Sequence, residues 1–102
     1  MIKINGKRWK IRVVSPSHPF LTTSKNTYTL GCCDIITQTI YISAGLTKPL
    51  LKKVLCHELV HAELQSYNIA LDYEEEEIIA DIISTHGEEI ISLTNLIYKR
   101  LK

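Results

Sequence analysis

The chain has 102 residues, 45% of them hydrophobic and 23% charged, which suits one soluble domain with a modest core rather than two lobes. A formal net charge of +1 argues against a nucleic-acid or acidic-membrane partner, because such surfaces usually need a clear basic excess. No apolar run approaches the ~18–20 residues of a membrane span, and the first residues lack the apolar core of a signal peptide. A single domain over residues 1–102, located in the cytoplasm, is therefore the expectation.

The three cysteines agree with a reducing compartment. Cys32 and Cys33 are adjacent, so in a strand their side chains point to opposite faces and are poorly placed to share one metal ion. Cys56 stands alone later in the chain. We expect all three to be small buried hydrophobic residues rather than ligands or disulfide partners.

The N-terminal part of the chain predicts a strand bounded by turns. Asn5-Gly6, between alternating apolar and basic residues, indicates a hairpin or tight turn, with a strand near residues 8–14. Two prolines place residues 15–19 in a loop, where His18 is expected to be an ordinary surface histidine.

Two further strands are predicted over residues 28–36 and 39–43, around a turn at Thr37-Gln38. In the second of them apolar and polar side chains alternate, which is typical of a strand with one face in the core. These segments together predict a small sheet of about three strands.

A long helix is predicted over about residues 48–67, with Thr47 as its N-cap and Pro49 in its first turn. Projected at about 100° per residue, its apolar side chains cover most of the circumference. A helix of this kind lies centrally in a fold, with a sheet packed on one side and another helix on the other.

This central helix carries the sequence His57-Glu58-Leu59-Val60-His61. Residues four apart on a helix share a face, so the two imidazoles can bind one zinc ion. Glu58 lies beside them, close enough to act on a water molecule held by that ion. The motif therefore predicts a zinc site, for which a third protein ligand must come from elsewhere in the chain.

A second helix begins near Tyr73, where four consecutive glutamates precede an apolar pattern of helical spacing. One carboxylate of this acidic face, which includes Glu77 and Asp81, is the expected third ligand. His86 projects about 140° away from that face, within the apolar stripe, and is expected to be a core histidine. Whether Gly87 divides the helix in two is left open by the pattern.

The motif, the EIIAD sequence at residues 77–81 and the preceding hairpin at residues 31–43 together resemble the gluzincin metallopeptidases. More narrowly, they resemble the small ImmA/IrrE-type metallopeptidase domains common in prophages and mobile elements. The resemblance covers roughly residues 28–92. It implies a minimal zincin-like α+β fold, in which a small antiparallel or mixed sheet of about three strands packs on the active-site helix and a C-terminal helix.

Carried over to matching positions, the resemblance implies that His57, His61 and Glu77 hold one zinc ion per chain. It implies that Glu58 is the general base of peptide hydrolysis. Asp81 would accept a hydrogen bond from a ligand histidine and so fix the tautomer of that ring.

Two residues of this chain differ from those that many family members carry, and the position of the third metal ligand is left open. Val60 stands where many members carry glycine, and Asp81 stands where many carry asparagine. Because four glutamates follow one another, Glu74, one turn earlier than Glu77, is an alternative third ligand.

The sequence thus predicts a zinc-dependent metallopeptidase that hydrolyses a protein substrate, which the resemblance places along the sheet edge near residues 30–35. A transcriptional repressor encoded beside the protein is the first candidate substrate implied by the resemblance. The alternative is a non-catalytic zinc-binding module that regulates or docks another protein. A DNA-binding regulator is disfavoured, because no basic recognition helix is visible, and the oligomeric state is left open.

Overall fold

The structure is a computed structural model that describes residues 2–102. Its first hairpin pairs β1 (Ile2–Ile4) antiparallel with β2 (Lys7–Val14), and its second pairs β3 (Gly31–Asp34) antiparallel with β4 (Thr39–Ser43). Parallel pairing of β2 with β4 joins the two hairpins into one mixed sheet, in the order β1-β2-β4-β3. The predicted α+β fold is confirmed, with one short N-terminal strand beyond the three expected.

Local turn chemistry explains where the strands begin and end. Asn5 and Gly6 have φ angles of 51° and 76°, which suit the predicted tight turn between β1 and β2. β3 is shorter than the predicted strand over residues 28–36. The Asp34 carboxylate accepts hydrogen bonds from the backbone N–H of Ile36 and the hydroxyl of Thr37, and this side-chain turn ends the strand.

Two helices follow the sheet, α1 (Lys48–Ser66) and α2 (Tyr73–Leu101). α1 packs between the sheet and α2, as its apolar circumference predicts. α2 begins with a capping box, in which the Asp72 side chain accepts from the Glu75 N–H and the Glu75 side chain accepts from the Asp72 N–H. α2 continues without a break through Gly87. Within residues 2–102, no helix has the length and apolar character needed to cross a membrane.

The core lies on both faces of the sheet. A main cluster between the sheet and α1 contains Ile4, Trp9, Ile40, Ile42 and Ala62. A smaller cluster on the other face contains Val14, Leu21 and Tyr41. Cys33 packs against the main cluster and Cys32 against the smaller one, so the predicted opposite orientation of the two thiols is confirmed. Burial, followed by the nearby charge of Glu58, raises the pKa of Cys33 to about 12, so this thiol stays protonated.

Two histidine predictions need correction. His86 is exposed rather than in the core, because it projects about 120° away from Ala80, the buried residue on the side of α2 that faces α1. His18 has a structural role in its loop: its ring stacks on Phe20 and on Tyr41, and its Nδ1 accepts a hydrogen bond from the Phe20 N–H. This contact caps a single 3-10 turn at Pro19–Leu21.

Candidate active site

A cluster of three potential metal ligands forms where α1 faces the second turn of α2. His57, His61 and Glu77 each offer one ligand atom, and these atoms lie within 4.8 Å of one another. The Glu77 Oε1 lies 3.2 Å from the Nε2 of His57 and 2.5 Å from the Nε2 of His61, and the two Nε2 atoms are 3.3 Å apart. Two imidazoles and one carboxylate form a donor set suited to a divalent metal that keeps a further position open. The side chains present therefore fit such an ion.

The geometry of the two helices produces this convergence. His57 and His61 are one turn apart on α1, so both rings project toward α2. α2 begins only six residues after α1 ends, so its acidic first turns lie beside the C-terminal half of α1. Ala80 is fully buried, and its small side chain lets α2 approach closely in the turn that follows Glu77.

Each ring also has a carboxylate at its other nitrogen. The His61 Nδ1–H donates to the Glu76 Oε1 at 2.6 Å, and the Nδ1 of His57 lies 3.2 Å from the Oδ1 of Asp81. A carboxylate at Nδ1 holds the proton there, which leaves the Nε2 lone pair directed at the metal position. Asp81 thus lies beside a ligand-candidate histidine, where the family resemblance implies a supporting carboxylate.

Glu76 is the site residue that sequence reasoning missed. Its side chain is buried beside His61, and its Oε1 also accepts a hydrogen bond from the Gln65 side chain at 3.0 Å. The sequence pattern predicts only one metal-binding carboxylate from this helix, at Glu77 or Glu74, and assigns no role to Glu76. The available signal was spacing: Glu76 lies four residues before the small residue Ala80, on the face of α2 that packs against α1.

The charges around His61 favour a cation. Burial lowers the pKa of the ring, but hydrogen bonds to Glu76 and Glu77 and the charge of Glu58 outweigh burial and raise the pKa overall. A cation held here would therefore be stabilised by surrounding carboxylates. Since a metal binds the neutral ring, protons and metal compete for this site, and metal affinity falls as the pH decreases.

Glu58 lies next to the ligand cluster but is not part of it. Its side chain is only 8% exposed, and burial raises its pKa, an effect that the neighbouring imidazoles oppose. A raised pKa makes a carboxylate a better proton acceptor near neutral pH. Gly31 at the start of β3 comes very close to this group: a Cβ there would lie 2.9 Å from the Glu58 Cγ and 2.8 Å from the Val54 Cγ1. Glycine therefore allows the strand to approach Glu58.

A cleft of about 560 Å³ opens onto these residues. Its walls are β3, the loop before β3, α1 and the start of α2. Its lining includes His57, Glu58, His61 and Glu77, and also the apolar side chains of Phe20, Leu30, Leu50 and Val54. Because β3 is the last strand of the sheet, its unpaired edge borders this cleft.

Tyr73 also lines the cleft. The Tyr73 ring lies parallel to that of His61, with the ring centroids 6.5 Å apart. Burial, followed by the charge of Glu77, raises the pKa of Tyr73, so its hydroxyl remains a hydrogen-bond donor at neutral pH. Glu74, the alternative third ligand, is exposed and lies outside the three-ligand cluster.

The α+β fold and the His-His-Glu cluster are those of a small zincin-like domain. The family model described as the IrrE N-terminal-like domain, a peptidase family, matches residues 7–98, and the chain belongs to this family. The resemblance to ImmA/IrrE-type metallopeptidase domains is thereby confirmed, and the match extends upstream to β2. No curated protein and no solved structure matched the chain significantly.

Proposed function

We propose that this protein is a zinc-dependent metallopeptidase that hydrolyses peptide bonds in a protein substrate. The observation that carries the proposal is the convergence of His57, His61 and Glu77 beside the buried carboxylate of Glu58, in the lining of an open cleft. Three ligands with a further position open are typical of a catalytic rather than a structural zinc site, which usually has four protein ligands.

In the proposed reaction the chain's own residues orient the reactants and move the protons. The chemistry supplied by a bound zinc ion is Lewis-acid activation of a water molecule and of the scissile carbonyl. Glu58 accepts a proton from the attacking water and delivers it to the leaving amine. Asp81 and Glu76 keep the rings of His57 and His61 in the orientation and tautomer that ligation needs.

The unpaired edge of β3 supports a peptide as the substrate. A substrate segment in extended conformation can add to this edge through main-chain hydrogen bonds, which bind peptides with little dependence on sequence. Such a segment would run along the cleft past Glu58. The apolar part of the cleft wall, with Leu30, Leu50 and Val54, would receive an apolar side chain close to the scissile bond.

The test of the proposed function is cleavage of a mixed peptide library by the same protein before chelation, after chelation and after zinc is restored. We expect cleavage to stop on chelation and to return with zinc, while the circular dichroism spectrum reports whether the fold persists. Loss of fold on chelation, with no cleavage by the zinc-loaded protein, would instead identify a non-catalytic zinc-binding module.

A transcriptional repressor encoded next to the protein is the proposed substrate. Co-expression of such a repressor with the wild type should yield a clipped repressor, whereas co-expression with Glu58→Gln should leave it intact. A repressor that stays intact beside an enzyme active on the peptide library would direct the search to other proteins.

Glu77→Gln should weaken zinc binding more than any other single substitution in the glutamate run. The amide removes the negative charge that faces both Nε2 atoms. We therefore expect zinc affinity to fall by more than the ~10–100-fold that is typical when a residue hydrogen-bonded to a metal ligand is changed. A zinc titration with a competing chelator measures the effect. Glu74→Gln is the matched control and should bind zinc as the wild type does. If Glu74→Gln lost more zinc affinity than Glu77→Gln, Glu74 rather than Glu77 would be the third ligand.

Glu76→Gln should weaken zinc binding by about 10–100-fold through its effect on His61. The amide can still accept the Nδ1 hydrogen bond, but it removes the negative charge that raises the basicity of the ring. Because Glu76 acts through His61, the cleavage rate of the zinc-saturated variant should stay near that of the wild type. Unchanged zinc affinity, or a lost rate at saturating zinc, would contradict this role.

A further inference from the structure

The C-terminal part of α2 lies beside no other element of the described chain. An ion pair of 2.7 Å between Lys52 and Glu88 lies near the start of α1, and every side chain from residue 88 to residue 101 is exposed. At about 1.5 Å per residue, these 14 residues form a helical extension of roughly 20 Å. We call residues 88–101 the C-terminal extension.

The extension carries an apolar stripe with coiled-coil spacing. Ile90 and Ile97 are seven residues apart, with Leu93 between them, which places all three on one seam of the helix. Seven residues before Ile90, the seam continues to Ile83, which lines an apolar groove between α1 and α2. The stripe therefore prolongs a surface that already packs helix against helix within the chain.

The exposed apolar area of the stripe suits a weak interface. Ile90, Leu93, Ile97 and Leu101, with Leu96 at their flank, are 48–80% exposed. Together they present on the order of 500 Å² per copy, which is toward the upper end of the largest apolar patch on a typical monomer and below the ~800 Å² of a standard interface.

The charges beside the stripe indicate what covers it. Glu89 and Arg100 are eleven residues apart, which places them within about 20° of each other on the same flank of the seam. In an antiparallel pair of identical helices, Glu89 of each copy lies close to Arg100 of the other. In a parallel pair, this flank faces the opposite flank of the partner, so Glu89 and Arg100 of the two copies do not meet. The extension is thus complementary to itself in one orientation only.

We propose that the C-terminal extension pairs with the same segment of a second copy as a short antiparallel coiled coil. The twofold axis would pass near residue 95, so that Leu93 of each copy packs against Ile97 of the other. Ile90 then packs against Leu101, and Glu89 pairs with Arg100 at both ends. The proposal does not depend on the peptidase function.

The test is sedimentation velocity of the full chain from micromolar to millimolar concentration, with Ile97→Asp and its matched control Ile91→Asp. We expect the wild type and Ile91→Asp to dimerise with similar affinity in the micromolar range or weaker, because Ile91 lies about 100° away from Ile90 and off the seam. Ile97→Asp should associate at least tenfold more weakly, with an unchanged circular dichroism spectrum. A wild type that stays monomeric at all concentrations, or equal losses in both variants, would overturn the proposal.

Exchanging the charges at Glu89 and Arg100 tests whether the two extensions pair antiparallel. At low ionic strength, Glu89→Arg should weaken dimerisation a few-fold, because it sets two positive charges against each other at both ends. Adding Arg100→Glu to the same chain should restore the affinity of the wild type. A double variant that remains as weak as Glu89→Arg would contradict the antiparallel pairing.

Discussion

Glu58→Gln is expected to retain zinc and to lose peptide cleavage. The amide has nearly the same shape as the carboxylate, so the close packing against Gly31 is preserved. It cannot accept a proton from the attacking water, however, and loss of a general base typically lowers the rate by about 10²–10⁴-fold. The zinc content of the purified variant and its cleavage rate on the peptide library check both halves of the expectation.

Glu63→Gln is the matched control for this variant. Glu63 lies on the same helix, is exposed and is not part of the ligand cluster, so the substitution should change neither zinc content nor rate. A Glu58→Gln protein that cleaves at more than a tenth of the wild-type rate would rule out Glu58 as the general base. Loss of zinc together with loss of cleavage would instead assign Glu58 a role in holding the metal.

His57→Ala is expected to reduce the zinc content from about one ion per chain to nearly none. Two of the three protein ligands remain in this variant, and they do not hold zinc firmly at neutral pH. His57 is a better choice than His61, because its side chain is 18% exposed against 8%, and its removal disturbs less of the interior. Elemental analysis after dialysis against trace chelator measures the zinc content.

The exposed His86 on α2 provides the control for the histidine substitution. His86→Ala removes an imidazole from the same protein without touching the ligand cluster, so one zinc per chain should remain. If His57→Ala retained the zinc of the wild type, the metal would be bound elsewhere, and the proposed site would be wrong.

Local periodicity explains why the histidine pair could be predicted from the sequence. His57 and His61 lie within one helix, and a spacing of four residues places them on one face whatever the rest of the chain does. The carboxylates of α2 depend on tertiary geometry instead. Glu76 and Glu77 are about 100° apart on their helix, so only the packing of α2 on α1 directs one to a ring Nδ1 and the other to the metal position.

The error at His86 has a related origin. Helical spacing identifies an apolar face, and His86 lies within that face, but spacing does not reveal whether another element covers it. α1 covers only the side of α2 that carries the buried Ala80, and His86 projects about 120° from that side. The helical prediction is therefore correct, and the predicted burial of His86 is wrong.

In the sheet, too, the features set by local sequence could be predicted, whereas the pairing of distant strands could not. The Asn5-Gly6 turn and β4 follow from turn chemistry and alternation, and both are confirmed. The parallel pairing of β2 with β4 joins segments that are far apart in sequence, and no local pattern predicts such a partner. This pairing leaves β3 at the edge of the sheet, where it borders the cleft.

The most direct test of the account measures the cleavage rate and the bound zinc in the same titration of metal-free protein. We expect the rate to rise in proportion to bound zinc and to level off at about one ion per chain, while Glu58→Gln binds the same zinc and stays at the background rate. A rate independent of bound zinc, or wild-type protein that fully binds zinc and cleaves no peptide bond, would contradict a catalytic zinc site built on His57, Glu58, His61 and Glu77.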